Sequence, residues 1–158
     1  MRLVKCRIIQ NDAISIDKKS GKISVDRNGN FSMLTFQFNP TSIPYGRGAN
    51  YSTIESPGMS YPLTQYVGGQ VREFTFEVFY YDNPFTGKIL NAKKYLESLL
   101  PPEKNTKEFT KPPSFTFTYG YFVKKLVLLN LEVHDEWLNE FGLPLMTRFT
   151  LTVRQVGR

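Results

Sequence analysis

Residues 71–82, VREFTFEVFYYD, most limit what this chain can fold into. On an extended backbone Arg72, Phe74, Phe76, Val78 and Tyr80 share one face. Val71, Glu73, Thr75, Glu77, Phe79 and Tyr81 share the other. Side chains alternate across a strand, so this pattern over a dozen residues reads as one half-buried β-strand. Its aromatic and β-branched content suits a pleated surface. Gly68-Gly69 before it and Asn83-Pro84 after it read as breaks in the chain. Most other periodic segments repeat the pattern, which predicts a sheet structure with this strand near its centre.

At 158 residues the chain is long enough for a sizeable core, and residues 1–158 read as a single domain. Hydrophobic residues make up 41% and aromatics 15%, too apolar for a disordered chain. No run approaches the roughly 18 apolar residues of a membrane-spanning helix. The start, MRLVKCRIIQ, is too short and too charged for a secretory signal, so a soluble protein made in a cytoplasm is expected. The formal charge of +6 permits nucleic acid or an acidic protein as partner, but the basic residues are scattered rather than blocked.

Along the chain, residues 2–10 read as a first strand. Ile14 and Ile16, then Ile23 and Val25, read as a hairpin around Lys18-Lys19-Ser20-Gly21. Asn28-Gly29 marks another turn, before a strand with Leu34, Phe36 and Phe38 on one face. Residues 39–70 carry Pro40, Pro44, Pro57 and Pro62, which argue against a long regular strand. Short strands around 51–54 and 61–66, or an arm that orders on a partner, are expected there. Thr86 is placed to cap a helix over 87–100, with Ile89, Ala92, Leu96 and Leu99 on one stripe. Pro101-Pro102 would stop it, and a charged loop follows. Phe115, Phe117 and Tyr119 then alternate up to a turn at Gly120. The run 121–133 is apolar on both faces: Val123, Val127, Leu129, Leu131 and Val133 against Phe122, Leu126 and Leu128. Such a strand must be covered on both sides, and a neighbouring subunit is the expected cover for Phe122, Leu126 and Leu128. The last strand sets Leu145, Phe149, Leu151 and Val153 against Arg148, Thr150, Thr152 and Arg154, as a hairpin partner of the one before.

Chemistry-bearing residues are few. His134-Asp135-Glu136 is the one cluster with acid-base or metal potential, but consecutive residues on a strand point in alternate directions. A solvated strand end or turn is the simpler reading. Glu73 and Glu77 lie about 13 Å apart at strand rise, too far for a carboxylate pair. Cys6 is the sole cysteine and reads as a small strand residue. Gly68-Gly69-Gln70 lacks the lysine and helix of a phosphate-cradling loop. No catalytic residue, cofactor site or metal site is assigned. Abundant aromatics and basic charge keep a single-stranded nucleic-acid-binding β-barrel as the alternative reading.

The order of these pieces resembles a known family: the tube-like baseplate proteins of contractile phage tails and injection systems. The nearest part is the N-terminal tube-like domain of the hub adaptor that often carries a lysin-motif domain. The resemblance rests on Phe38-Asn39-Pro40 after a strand, a proline-rich arm, and Gly68-Gly69 before a long aromatic strand ending near Asp82. A helix, Pro112-Pro113 with an aromatic strand to Gly120, and Gly142-Leu143-Pro144 at the last strand complete it. Tyr119 stands where members carry tryptophan and Met146 where they tend to carry arginine. No lysin-motif segment is read after Val156.

The resemblance implies a mainly β, tail-tube-like barrel or sandwich with one flanking α-helix. It implies a homo-oligomeric ring of six copies linking the tail tube to the central hub and spike, within a virion tail or injection particle. Expected partners are tube or tube-initiator proteins, the hub or spike, and other baseplate proteins, with DNA as passing cargo in the lumen and no membrane. Expected subunit contacts are Phe122, Leu126 and Leu128, with Tyr45, Tyr51, Tyr61 and Tyr66 of the arm region.

Overall fold

A computed structural model describes residues 4–10, 14–16, 23–25, 33–101 and 112–156. Their strands are β1 (Arg7–Gln10), β2 (Ile14–Ile16), β3 (Ile23–Val25), β4 (Met33–Thr35), β5 (Gly48–Ile54), β6 (Leu63–Gln70), β7 (Glu73–Tyr81), β8 (Phe115–Tyr119), β9 (Phe122–Leu138) and β10 (Pro144–Gln155). One α-helix, α1 (Lys88–Ser98), lies between β7 and β8. The described residues are thus mainly β with one flanking helix, as the alternating pattern predicts. Residues 2–3, the turns at 18–21 and 28–29, and the charged loop 103–111 lie outside the described residues.

Six strands form one antiparallel sheet in the order β4-β1-β8-β9-β10-β7. The expected alternation of β7 holds: Phe76, Val78 and Tyr80 are buried, while Glu73, Thr75, Glu77 and Tyr81 are exposed. Its expected central position does not hold, because among the described residues β7 is an edge strand. Alternation reports which face of a strand is wet and carries no information on its neighbours. The two glutamates facing solvent suit an edge, where charge discourages stray pairing.

The sheet curls until its ends meet on one side. Tyr80 Oη donates to the Thr35 carbonyl of β4 at 3.3 Å. Beyond β4 the chain stitches the seam with side chains. Gln37 bonds the backbone of Tyr81 at 2.6 and 2.8 Å, and Asn39 bonds Val4 and Cys6 at 2.9 Å each. Helix α1 lies along this seam, where Ala92 and Tyr95 line one groove with Leu34, Phe36 and Tyr80. The stripe read from sequence, Ile89, Ala92, Leu96 and Leu99, is buried, and Tyr95 joins it. Thr86 is not the cap, however. The chain first makes a short 3-10 turn, Pro84–Thr86, capped by the Asn83 side chain, and enters α1 through Gly87 at φ 69°, a left-handed conformation that glycine adopts freely. Thr86 instead donates its hydroxyl to Asp82 Oδ2 at 3.0 Å.

The core explains the two-sided apolar run. Phe122, Leu126 and Leu128 are buried in it, beside Phe115, Phe117, Phe149, Leu151 and Val153. Opposite β9, Thr152 pairs with Asn130 but Val153 pairs with Leu128, so Leu129 has no partner. This bulge reverses the parity of the strand. Before it the even-numbered residues face inward. After it Leu131 and Val133 pack against the core. One inward stripe changes register midway, and only Val123, Val127 and Leu129 of the run are left on the outer face, exposed or half-buried.

The remaining pairings join strands adjacent in sequence. β2 and β3 pair with Ile14 opposite Val25 and Ile16 opposite Ile23, as expected. β8 and β9 join through the two residues Gly120-Tyr121, with Gly120 at φ 61° as a tight hairpin turn requires. β5 and β6 form a separate two-stranded ribbon.

Candidate functional site

Where side-chain exposure is described, the β5–β6 ribbon is the most exposed regular element. Nearly every position from 49 to 67 faces solvent. Short strands were expected around 51–54 and 61–66, and the ribbon extends them to Gly48–Ile54 and Leu63–Gln70. Its tip is a turn at residues 56–59, where Met59 N–H donates to the Ser56 carbonyl at 3.1 Å. Gly68 and Gly69 do not form the expected turn into β7. They lie inside β6, opposite Asn50 and Ala49, beside a bulge that leaves Val67 without a partner. Glycine within a strand marks bulges as well as turns, and the chain breaks later, at Val71-Arg72.

Of the expected contact residues, Tyr51, Tyr61 and Tyr66 all belong to this ribbon or its tip and are exposed, Tyr61 to 85%. Tyr51 and Tyr66 face each other edge-on at 5.6 Å between ring centres. Tyr45 lies at the root of the arm, its ring on Phe122 at 4.9 Å and still 60% exposed. Ile54, Met59 and Leu63 add further exposed apolar surface. The other three expected contacts must be reassigned. Phe122, Leu126 and Leu128 are 7%, 0% and 5% exposed within this one chain, so they are core and no partner reaches them. The sequence could not place the bulge that turns them inward.

A second apolar surface escaped sequence reasoning. Trp137, Leu138, Phe141 and Leu143 are exposed around the β9–β10 turn, with Tyr81 edge-on to Trp137 at 6.4 Å. Trp137 holds φ 53°, unusual for a bulky residue. Asn139 builds the turn by accepting from the N–H groups of Phe141 and Leu143. Gly142 sits within it, donating to the Asn139 carbonyl at 2.9 Å.

The other motif residues have structural places. Asn39 holds the start of β1, Pro40 is buried behind it, and Phe38 is exposed, since the chain has by then left β4. Pro112 and Pro113 are half-buried ahead of β8, and Pro144 opens β10 opposite Leu138.

His134-Asp135-Glu136 diverges as alternation requires. Asp135 accepts from the Thr147 hydroxyl at 2.8 Å, and Glu136 pairs with Arg148 at 2.7 Å. His134 lies 3.8 Å from Glu132, with both side chains 58% exposed. The cluster is not a strand end, because β9 continues to Leu138. Among the described residues no three His, Cys, Asp or Glu side chains gather as a metal set. Cys6 is fully buried, and burial pushes its thiol up to about 12. Burial likewise raises the Tyr95 phenol to about 12 and the Tyr80 phenol further. These groups therefore stay protonated and neutral in the fold. Asp82 is shifted the other way: partial desolvation raises it, but hydrogen bonds from Asn83 N–H, Thr86 and Lys88 outweigh that and hold its carboxyl below the usual range.

No protein-family model matches the sequence, and no characterised protein matches it in sequence.

Proposed function

We propose that this chain is a structural subunit of a contractile phage tail or injection-system baseplate. Six copies close a ring that joins the tail tube to the central hub and spike, with other baseplate proteins around it. The reading assigns the chain no catalytic step, cofactor or metal, and DNA only passes through the lumen.

The observation that carries the reading is the β5–β6 ribbon. A lone two-stranded ribbon is marginal in water, and this one exposes Tyr51, Ile54, Tyr61, Leu63 and Tyr66. Tyrosine gives contact area at low entropy cost; Tyr51 and Tyr66 share one face of the ribbon and Ile54 and Leu63 the other, so both faces offer apolar surface to a neighbour. Ring closure covers this surface without leaving a growing end.

Sedimentation and negative-stain imaging of the concentrated protein test the reading. Closed rings, lost when residues 49–69 are replaced by a short Gly-Ser linker, are the expected result. A chain that stays monomeric with its arm intact counts against it.

A further inference from the structure

We infer that the cavity at the root of the arm is a binding site for a nucleotide, its phosphate held by Arg47, Arg72 and Lys124 and its ring lying against Tyr45. The cavity encloses about 520 Å³ between the segment before β5 and the starts of β7 and β9. All three cations line it, and among the described residues none of their side chains has an ion pair or hydrogen bond. Glu73, the acidic residue in the lining, is already held by Arg154. Three like charges facing one space repel one another, and an anion between them removes the repulsion.

The backbone is shaped for this. The Arg72 guanidinium lies so close over Gly46 and Gly48 that a Cβ on Gly46 would fall 2.7 Å from one of its nitrogens. Glycine on both sides of Arg47 thus lets Arg72 settle against the loop that carries Arg47. Guanidinium forks match phosphate oxygens in pairs, and lysine adds a point charge. Beside them Tyr45, braced on Phe122, presents an exposed aromatic face on which a flat ring can stack. The cations come from three distant parts of the chain, so no local motif announces them.

The same chemistry fits a free nucleotide or one unit of a single strand, and the test separates these. Adenosine monophosphate, inorganic phosphate, adenosine and an oligothymidylate are titrated into isotope-labelled full-length protein, with amide shifts and calorimetry as readouts. Adenosine monophosphate should move the amides of Gly46, Arg47 and Phe74, and bind more tightly than phosphate or adenosine. Tighter binding of the oligothymidylate would assign the site to strands, and its failure to bind would assign it to free nucleotides. Arg47→Ala and Arg72→Ala should each weaken binding roughly 10- to 100-fold, as loss of a charge-assisted hydrogen bond does. Lys94→Ala, which removes the same charge from helix α1, should leave it unchanged. No binding by any probe, or equal weakening in Lys94→Ala, overturns the site. Phosphate binding as tightly as adenosine monophosphate overturns the nucleotide assignment.

Discussion

The side-chain amide of Gln37 bonds the backbone of Tyr81 twice. Its Nε2 donates to the Tyr81 carbonyl at 2.6 Å, and its Oε1 accepts the Tyr81 N–H at 2.8 Å. Tyr81 ends the edge strand β7, and Gln37 lies just past β4 at the opposite edge of the same sheet. An amide side chain thus does what a further strand residue would do. Two residues on, Asn39 repeats the device toward β1, accepting from Cys6 N–H and donating to the Val4 carbonyl. The polar residues of Gln37-Phe38-Asn39 are therefore the clasp between the first and last parts of the sheet.

Removing either half of the clasp should loosen the seam without unfolding the chain. Gln37→Ala is expected to cost about 1 kcal/mol, because water can replace its exposed bonds. Asn39→Ala should cost about 1 to 3 kcal/mol, since the Cys6 N–H it serves is half-buried. Urea unfolding measures both. Hydrogen exchange should accelerate at Tyr81 in the first variant and at Cys6 in the second, and unchanged protection at these amides would reject the clasp.

The bulge at Leu129 divides two substitutions three residues apart. Leu126 is fully buried, so Leu126→Ala should cost about 2 to 5 kcal/mol and Leu126→Asp should prevent folding. Leu129 is 39% exposed on the outer face, and Leu129→Asp should leave a folded chain. Circular dichroism and thermal melting distinguish them. A folded Leu126→Asp chain would mean that this face is a contact surface after all.

That pair also shows where the sequence stops being readable. Strand faces were legible wherever one register ran the full length, as in 74–80 and 149–153. In 122–133 the pattern is two-sided because the period-two alternation crosses a bulge. No glycine or proline marks the bulge; it is fixed by pairing with Thr152 and Val153 on another strand. The edge position of β7 was hidden for a similar reason, since lateral order depends on partners distant in sequence. The arm was legible only in part: Pro57 and Pro62 flag its turn through local backbone geometry, but the regular pairing of Gly48–Ile54 with Leu63–Gln70 was not, because it is set by the partner strand. The cluster of Arg47, Arg72 and Lys124 was not, because only the fold brings them to one cavity.

Alkaline conditions should unfold the protein earlier than a surface-only titration would. Cys6 rises from 9.0 to about 12 and Tyr95 from 10.0 to about 12 through burial, and Tyr80 shifts in the same direction. Each group keeps its proton in the fold after the unfolded chain has begun to lose it. The stability they contribute is full below about pH 9 and falls as pH rises through 9 to 12. Each group lowers stability by up to about 1.4 kcal/mol per pH unit within its window. Urea unfolding midpoints between pH 8 and pH 11 measure this, and midpoints independent of pH would contradict it. At pH 8 the Cys6 thiol should also resist Ellman's reagent until urea is added, because the thiolate is the reactive form.

The arm provides the sharpest separation of folding from assembly. Tyr51 and Tyr66 contact each other on the ribbon, and each is about 60% exposed. Replacing both with serine removes little that the core depends on, so the unfolding free energy should stay within about 0.5 kcal/mol of wild type. Association should suffer far more, since a tyrosine at the centre of a protein contact commonly carries about 2 kcal/mol or more. Hydrogen exchange adds a second reading of the same surface. In dilute protein the amides of β5 and β6 should exchange quickly, as expected of a ribbon with few buried contacts. In the assembled state they should be protected, while those of β9 and β10 stay slow in both. Sedimentation of the double variant decides the matter. If it associates as wild type does while keeping its fold, the tyrosine face of the arm is not the contact, and the exposed Trp137–Leu143 turn becomes the surface to test next.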